Sequence, residues 1–232
     1  MANVLLICLS LISLRLVQSV NFTIESHPLT TWAISSTQGD SNTCITESQQ
    51  GCDVKTTGDA IFEVKAQADQ DNRFQDLLLY GFYATAGPGN YTTYTGDRKQ
   101  LLRVLNSLNI HYDKETKGIV VVGLDISNDG TNSPHSLVPA VGASAVLKGA
   151  PPGFIYKGIK PQLGQEIIEG GSSFVTFANV DSGHFEVTIE PPPGMACALG
   201  PAGMSVESNS NTNFAKGEAA PDTITVLSFI CL

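Results

Sequence analysis

Apolar and polar residues alternate with a period of two in several short runs of this chain, and each run reads as a half-buried strand. In AIFEVKA, residues 60–66, Phe62 and Val64 fall on one face and Glu63 and Lys65 on the other. Phe185, Val187 and Ile189 alternate in the same way with Glu186, Thr188 and Glu190. Val141, Ala143, Ala145 and Leu147 line one face of a run of small residues. IVVVGLDI, residues 119–126, does not alternate, and its unbroken β-branched character predicts a strand covered on both faces. DLLLYGFYATA, residues 76–86, is long enough for a helix, but Tyr80, Phe82 and Tyr83 favour a strand. Shorter strands are expected around Phe22–Ile24 and Thr31–Ile34, and a last one in TITVLSFICL. A single stretch follows the other period. In DRKQLLRVLNSLN, Leu101, Leu105 and Leu108 recur at i, i+4 and i+7, with Leu102 and Val104 widening the face. That spacing predicts a helix near residues 97–109, with Asp97 placed to cap its start.

Strand-like runs at short intervals, separated by turn residues and interrupted by one helix, predict an all-β chain of Greek-key β-sandwich domains. The helix falls between two β-rich halves, so two sandwiches in tandem are expected. Residues 20–92 would form a small sandwich-like domain, 93–116 a helical connector and 117–232 the second sandwich. One continuous sandwich is the alternative. Between Phe177 and Phe185 lies a polar island, Asn179 to His184. Gly183 suits a turn with positive φ and Asp181 can bond its own backbone, so the island predicts a hairpin connection with His184 pointing to solvent.

Composition and cysteines then place the chain. Residues 1–19 have an apolar core from Val4 to Leu14 and end in Val17-Gln18-Ser19, the pattern of a signal peptide. No later run approaches the ~18 apolar residues of a membrane-spanning helix, so no span is expected in the mature chain. The net charge of −9 is spread along the sequence without a basic stripe, which argues against nucleic acid as a partner. Only 15% of residues are charged while Gly, Thr, Ser and Val abound, a β-rich extracellular composition. Beyond the leader stand Cys44, Cys52, Cys197 and Cys231, an even number that points to disulfides outside the cytoplasm. Three connectivities are open. The grouping favours Cys44 with Cys52 and Cys197 with Cys231. A zinc site would need closer ligand pairs and neighbouring histidines.

Two segments of the second half carry a resemblance. Val138-Pro139-Ala140-Val141-Gly142-Ala143-Ser144-Ala145-Val146-Leu147 follows a pattern in which a small or apolar residue, Pro and Gly lead into an alternating strand, with Ala145 where Val is usual. Phe177-Ala178-Asn179-Val180-Asp181-Ser182-Gly183-His184-Phe185-Glu186-Val187 follows a second, F-x-N-V-x-x-G-x-h-x-V, where h is apolar. Over residues 117–195 the chain resembles carboxypeptidase regulatory-like domains, the transthyretin-like (prealbumin-like) sandwiches. Residues 40–86 look like a weaker relative, from which Thr57-Gly58-Asp59 departs in order. The resemblance implies a Greek-key sandwich and an extracytoplasmic accessory role, and it brings no catalytic residues.

The remaining candidate chemistry is sparse. His27, His111, His135 and His184 have no metal-ligand spacing, and no G-x-S-x-G elbow is present. Glu186 and Glu190 share one strand face about 13 Å apart, whereas the paired carboxylates of glycoside hydrolysis stand about 5–10 Å apart across a cleft, so they read as solvated. No catalytic residue, metal or cofactor is therefore expected. Asp125, Ser127 and Asp129, followed by Gly130, match the first positions of a calcium loop, but Ser136 stands where the bidentate glutamate belongs. Asn21 and Asn90 begin sequons that would be glycosylated in a eukaryotic secretory pathway. Trp32, Tyr80, Tyr83, Tyr91 and Tyr94 offer either a sugar-stacking platform or core residues. The expectation is a secreted or cell-surface, non-enzymatic binding or accessory module whose ligand, protein or glycan, is unknown. A carbohydrate-binding, starch-binding-like module is the first alternative, and an extracellular hydrolase with an unrecognised site the second.

Overall fold

The structure is a computed structural model that describes residues 17–25, 31–37, 43–47, 49–56, 58–66, 77–94, 96–128, 136–158, 160–164, 166–200 and 213–232. Its elements are strands throughout, with one helix. The first half holds β1 (Gln18–Glu25), β2 (Thr31–Ser36), β3 (Thr43–Glu47), β4 (Gly51–Thr56), β5 (Ala60–Ala66), β6 (Leu77–Thr85), β7 (Gly89–Tyr94) and the two-residue β8 (Gly96–Asp97). Helix α1 (Arg98–Ser107) follows. The second half holds β9 (Lys117–Ser127), β10 (Leu137–Pro139), β11 (Ser144–Leu147), β12 (Phe154–Lys157), β13 (Lys160–Leu163), β14 (Phe174–Asp181) and β15 (Gly183–Glu190). It ends with β16 (Cys197–Leu199), β17 (Phe214–Ala219) and β18 (Thr223–Cys231). The fold is all-β.

These strands form one long sheet and two short ones. The 12-stranded sheet runs in the order β13-β12-β14-β9-β18-β6-β5-β2-β3, with β10, β16 and β8 attached beside it. Strand β18 lies at its middle and is parallel to both neighbours, β9 and β6. Hydrogen bonding therefore passes without a break from the first half of the chain to the second. The three-stranded sheets are β4-β1-β7 and β11-β15-β17.

The two faces of β9 show how the layers stack. Val120, Val122 and Leu124 enter a core with Ala145, Leu147, Val187, Ile189 and Ala215, from the β11-β15-β17 sheet. Ile119 enters another core, with Val20, Phe22, Ile24, Val54 and Tyr91 from the β4-β1-β7 sheet. Because neighbouring strand residues point to opposite faces, the short sheets cover opposite faces of the long one. Phe22 anchors the core that Ile119 enters, its ring 4.9 Å from Phe62 and 5.4 Å from Tyr91. Each such fully buried side chain contributes about 1.5–3 kcal/mol.

Helix α1 forms where the leucine spacing predicts. Leu105 is fully buried against Phe154 and Ala178, with Leu101, Val104 and Leu108 half-buried around it. Phe154 and Ile155 alternate on β12, and Ile155 belongs to the core under the β11-β15-β17 sheet. The helix thus packs on the opposite face, the one the β4-β1-β7 sheet also covers. Asp97, expected as its cap, lies in β8, where its backbone is paired with Leu77.

Both cysteine pairs bridge paired or facing strands. Cys44–Cys52 ties β3 of the long sheet to β4 of a short one. Cys197–Cys231 joins directly opposed residues of β16 and β18, with Cα atoms 3.9 Å apart. The flanking Ala196 and Leu232 exchange both backbone hydrogen bonds, so the cysteines occupy the close, non-hydrogen-bonded position.

Two local expectations need correction. The connection from Asn179 to His184 is not a hairpin. β14 pairs with β9 and β12 in the long sheet, whereas β15 pairs with β11 and β17, so the chain turns a corner from one layer to the other. Gly183 does supply a positive φ of 115° at that corner. Val141 is exposed, because it sits in the turn before β11, and inward alternation begins only at Ala143. Of residues 1–19, positions up to 16 lie outside the described residues. Gln18 and Ser19 already pair with Thr56 and Lys55 in β1, so cleavage after Ser19 would shorten that strand.

Candidate binding groove

The residues singled out in the sequence are scattered. Asp125 and Ser127 lie on β9 itself, paired with Pro139 and Leu137 of β10, and Asp129 lies outside the described residues. Burial raises the Asp125 carboxyl above its ordinary value, opposed by a hydrogen bond from Ser173. Among the described residues no group of three His, Cys, Asp or Glu side chains is placed to hold a metal. His111 is exposed, His27 and His135 lie outside the described residues, and His184 points to solvent with Nδ1 3.4 Å from Glu218.

Of the five aromatic residues that offered a platform, the three with described side chains belong to the core. Trp32, Tyr83 and Tyr91 are buried between the β4-β1-β7 sheet and the long sheet. The Tyr91 hydroxyl donates to the Gly87 carbonyl, and burial pushes the phenol well above its ordinary pKa. The side chains of Tyr80 and Tyr94 lie outside the described residues.

The polar island has a structural task that sequence reasoning missed. Asn179 sits at an irregularity of β14, between Phe177 and Val180, with φ 58°. Its Oδ1 accepts from the Asp113 amide and its Nδ2 donates to the His111 carbonyl. Ser182 donates to the Thr116 carbonyl, and Asp181 pairs with Lys117. Together they fasten the segment that leaves α1 onto the end of β14. A second fastening is the ion pair of Arg98, at the start of α1, with Asp222 in the β17–β18 turn.

Among the described residues a concavity lies elsewhere, at the step where the β11-β15-β17 sheet stops over the long sheet. Among the described residues strand β17 is the edge of its sheet, paired with β15 alone. Beside it Ile61 and Ala84, register partners on β5 and β6, form a floor, and Leu199, Phe214 and Ala215 form a wall. The groove has a volume of about 250 Å³. Asp59, Lys216 and Thr85 also line it, one acid, one base and one neutral polar residue beside the apolar side chains. Asp59 keeps much of its surface in water, yet partial burial raises its carboxyl above the ordinary value. Lys216 leans between Glu186, 3.6 Å from its Nζ, and the Phe214 ring, 6.0 Å from it. Phe214 is more than one-third exposed, at 38%. No pattern in the sequence joins these residues, because they come from four strands and the corner before β5.

No protein-family model matches the chain, and no curated protein matches it. Among solved structures it is similar to GBS52, the minor pilin of Streptococcus agalactiae, at 10% identity over 92% of this chain and 95% of that one, with a TM-score of 0.31. It is similar to a streptococcal ancillary pilin at 9% identity, over 93% and 69% of the two chains, with a TM-score of 0.31. The Bacillus anthracis TIE protein matches at 8% identity with a TM-score of 0.25, and there the chain spans 34% of the larger protein. Superpositions this loose assign no activity, and the reading of function rests on the groove.

Proposed function

We propose that this chain is a secreted or cell-surface, non-enzymatic β-sandwich protein that binds another protein through the groove beside β17. The observation that carries the reading is the edge of β17, open among the described residues, beside a floor of Ile61 and Ala84. An extended segment of a partner can pair its backbone with an unpartnered strand edge and place alternate side chains in an adjoining pocket. Here one apolar side chain would fit among Ile61, Leu199 and Phe214, and charges flanking it would meet Asp59 and Lys216. The two disulfides support residence outside the cytoplasm. Among the described residues no helix is long and apolar enough to cross a membrane. We read residues 117–195 as a transthyretin-like sandwich, a reading supported by the inward alternation of Ala143, Ala145 and Leu147 on and before β11.

A displayed library of extended peptides, selected on the full chain, tests the binding reading. Selected peptides should alternate, with a central apolar residue and flanking charge. Their affinity should fall at least tenfold in Ile61→Glu and change with salt in Lys216→Glu. Failure to select any peptide, or peptides indifferent to both substitutions, would overturn it.

A further inference from the structure

The two sequons, distant in sequence, become neighbours in the fold. Strand β1 pairs in parallel with β7 in a register that sets Asn21 beside Asn90 and Thr23 beside Thr92. All four lie on the outer face of the short sheet, opposite Val20, Phe22, Ile24 and Tyr91 in the core. In an extended strand the asparagine and the threonine two residues on share a face; Asn90 and Thr92 are exposed and Asn21 and Thr23 half-buried. Ser19 and Glu25 on β1 and Asp53 and Lys55 on β4, described on the same face, are exposed and polar. A bulky hydrophilic substituent fits among them.

From this register we infer that Asn21 and Asn90 constitute a single N-glycan acceptor, in which a glycan on one asparagine excludes a glycan on the other. In the transfer, Nδ2 attacks the anomeric carbon of an oligosaccharide carried on a lipid diphosphate. The carbon–nitrogen bond forms, the carbon–oxygen bond to the diphosphate breaks, an amide proton leaves and the lipid diphosphate departs. Adjacent strands lie about 4.8 Å apart, so the first sugars of two glycans rooted at opposed positions would have to occupy nearly the same space. The pair is not symmetrical. Asn90 is exposed on the edge strand β7, whereas Asn21 lies on the central strand with Nδ2 donating to Asp53 Oδ1 at 2.9 Å. A glycosylated Nδ2 keeps one hydrogen, so Asn21 can carry the sugar without giving up Asp53.

The inference is separate from the groove and uses only passage through a eukaryotic secretory pathway. The test is secretion of the full chain from a eukaryotic cell line, with intact mass measured before and after peptide-N-glycosidase. The asparagine-to-aspartate conversion left by that enzyme marks the site. The expected result is one glycan per chain, divided between the two asparagines. Asn21→Gln and Asn90→Gln should each still carry one glycan, and the double variant none. Secreted molecules bearing two glycans at once, secreted chains bearing none, or loss of all glycan in either single variant would overturn it. Peptide binding by the same samples reports on the groove independently.

Discussion

Asn179 shows how much one side chain can hold. It takes a left-handed backbone conformation that costs most residues with a Cβ, and it also contributes two hydrogen bonds to the segment after α1. Asn179→Ala should therefore cost about 2–3 kcal/mol in denaturant unfolding, the sum of two modest bonds and the backbone penalty. Asn179→Gly removes the bonds alone, so it should cost visibly less. Equal losses in the two variants would show that the conformation carries no strain. The position was visible in the sequence only as part of a polar island, because its partners stand more than sixty residues earlier, at His111 and Asp113. At Gly118 the constraint is space: a Cβ there would lie 2.6 Å from the Ala220 carbonyl oxygen, which belongs to backbone and cannot swing aside. Gly118→Ala should cost about 1–3 kcal/mol, as overpacking does. Asp125 supplies a test in pH. Burial raises its folded-state carboxyl above the unfolded value, so the folded chain binds the extra proton between the two. Stability from this group is greatest at low pH and falls as pH rises through the raised value. Asp125→Asn should unfold at a higher temperature than the parent at neutral pH, and the difference should close on acidification. A difference that does not vary with pH would refute the assignment.

The elements were legible wherever their own side chains define a period. Residues Leu101, Leu105 and Leu108 announce α1, and Leu105→Ala should cost about 2–5 kcal/mol in thermal or denaturant unfolding, since Leu105 is fully buried. An unchanged midpoint would mean that the helix face is not part of the core. Strands β5, β9 and β15 were equally plain. What alternation cannot report is the partner. Phe174 to Asp181 and Gly183 to Glu190 look like the arms of a hairpin, yet each arm pairs in a different sheet, because residues with one buried face satisfy either arrangement. Asp97 stands directly before α1, where an N-cap belongs, and its extended backbone pairs with Leu77, a conformation that a capping residue also adopts. The groove residues carried no signal at all: Ile61, Ala84, Leu199 and Phe214 are each ordinary strand residues until the layers are stacked.

For the whole molecule, the all-β class followed from the pattern, but the continuity of the long sheet did not. That continuity depends on β18 pairing with β6 on one side and β9 on the other. The two halves should accordingly unfold together, giving one calorimetric transition whose calorimetric and van't Hoff enthalpies agree. Two resolved transitions would show that the shared strand does not couple them. The Cys197–Cys231 bond anchors this same strand, and it closes a loop of sequence separation 34. Its removal in a Cys197→Ala, Cys231→Ala pair should cost about 3–4 kcal/mol by loop-closure entropy. The position of β18 also sets an order of events as the polypeptide is made. The strand at the centre of the long sheet comes after all of its sheet partners in the sequence, so β6 and β9 emerge from the ribosome without the neighbour that joins them. Until residues 223–231 arrive, both present an open parallel edge rich in Val, Ile and Leu, a ready template for the wrong pairing. A nascent chain of this design must be kept apart from others of its kind until its last described strand is complete, and its yield should depend more on how synthesis is chaperoned than on the stability of the finished fold.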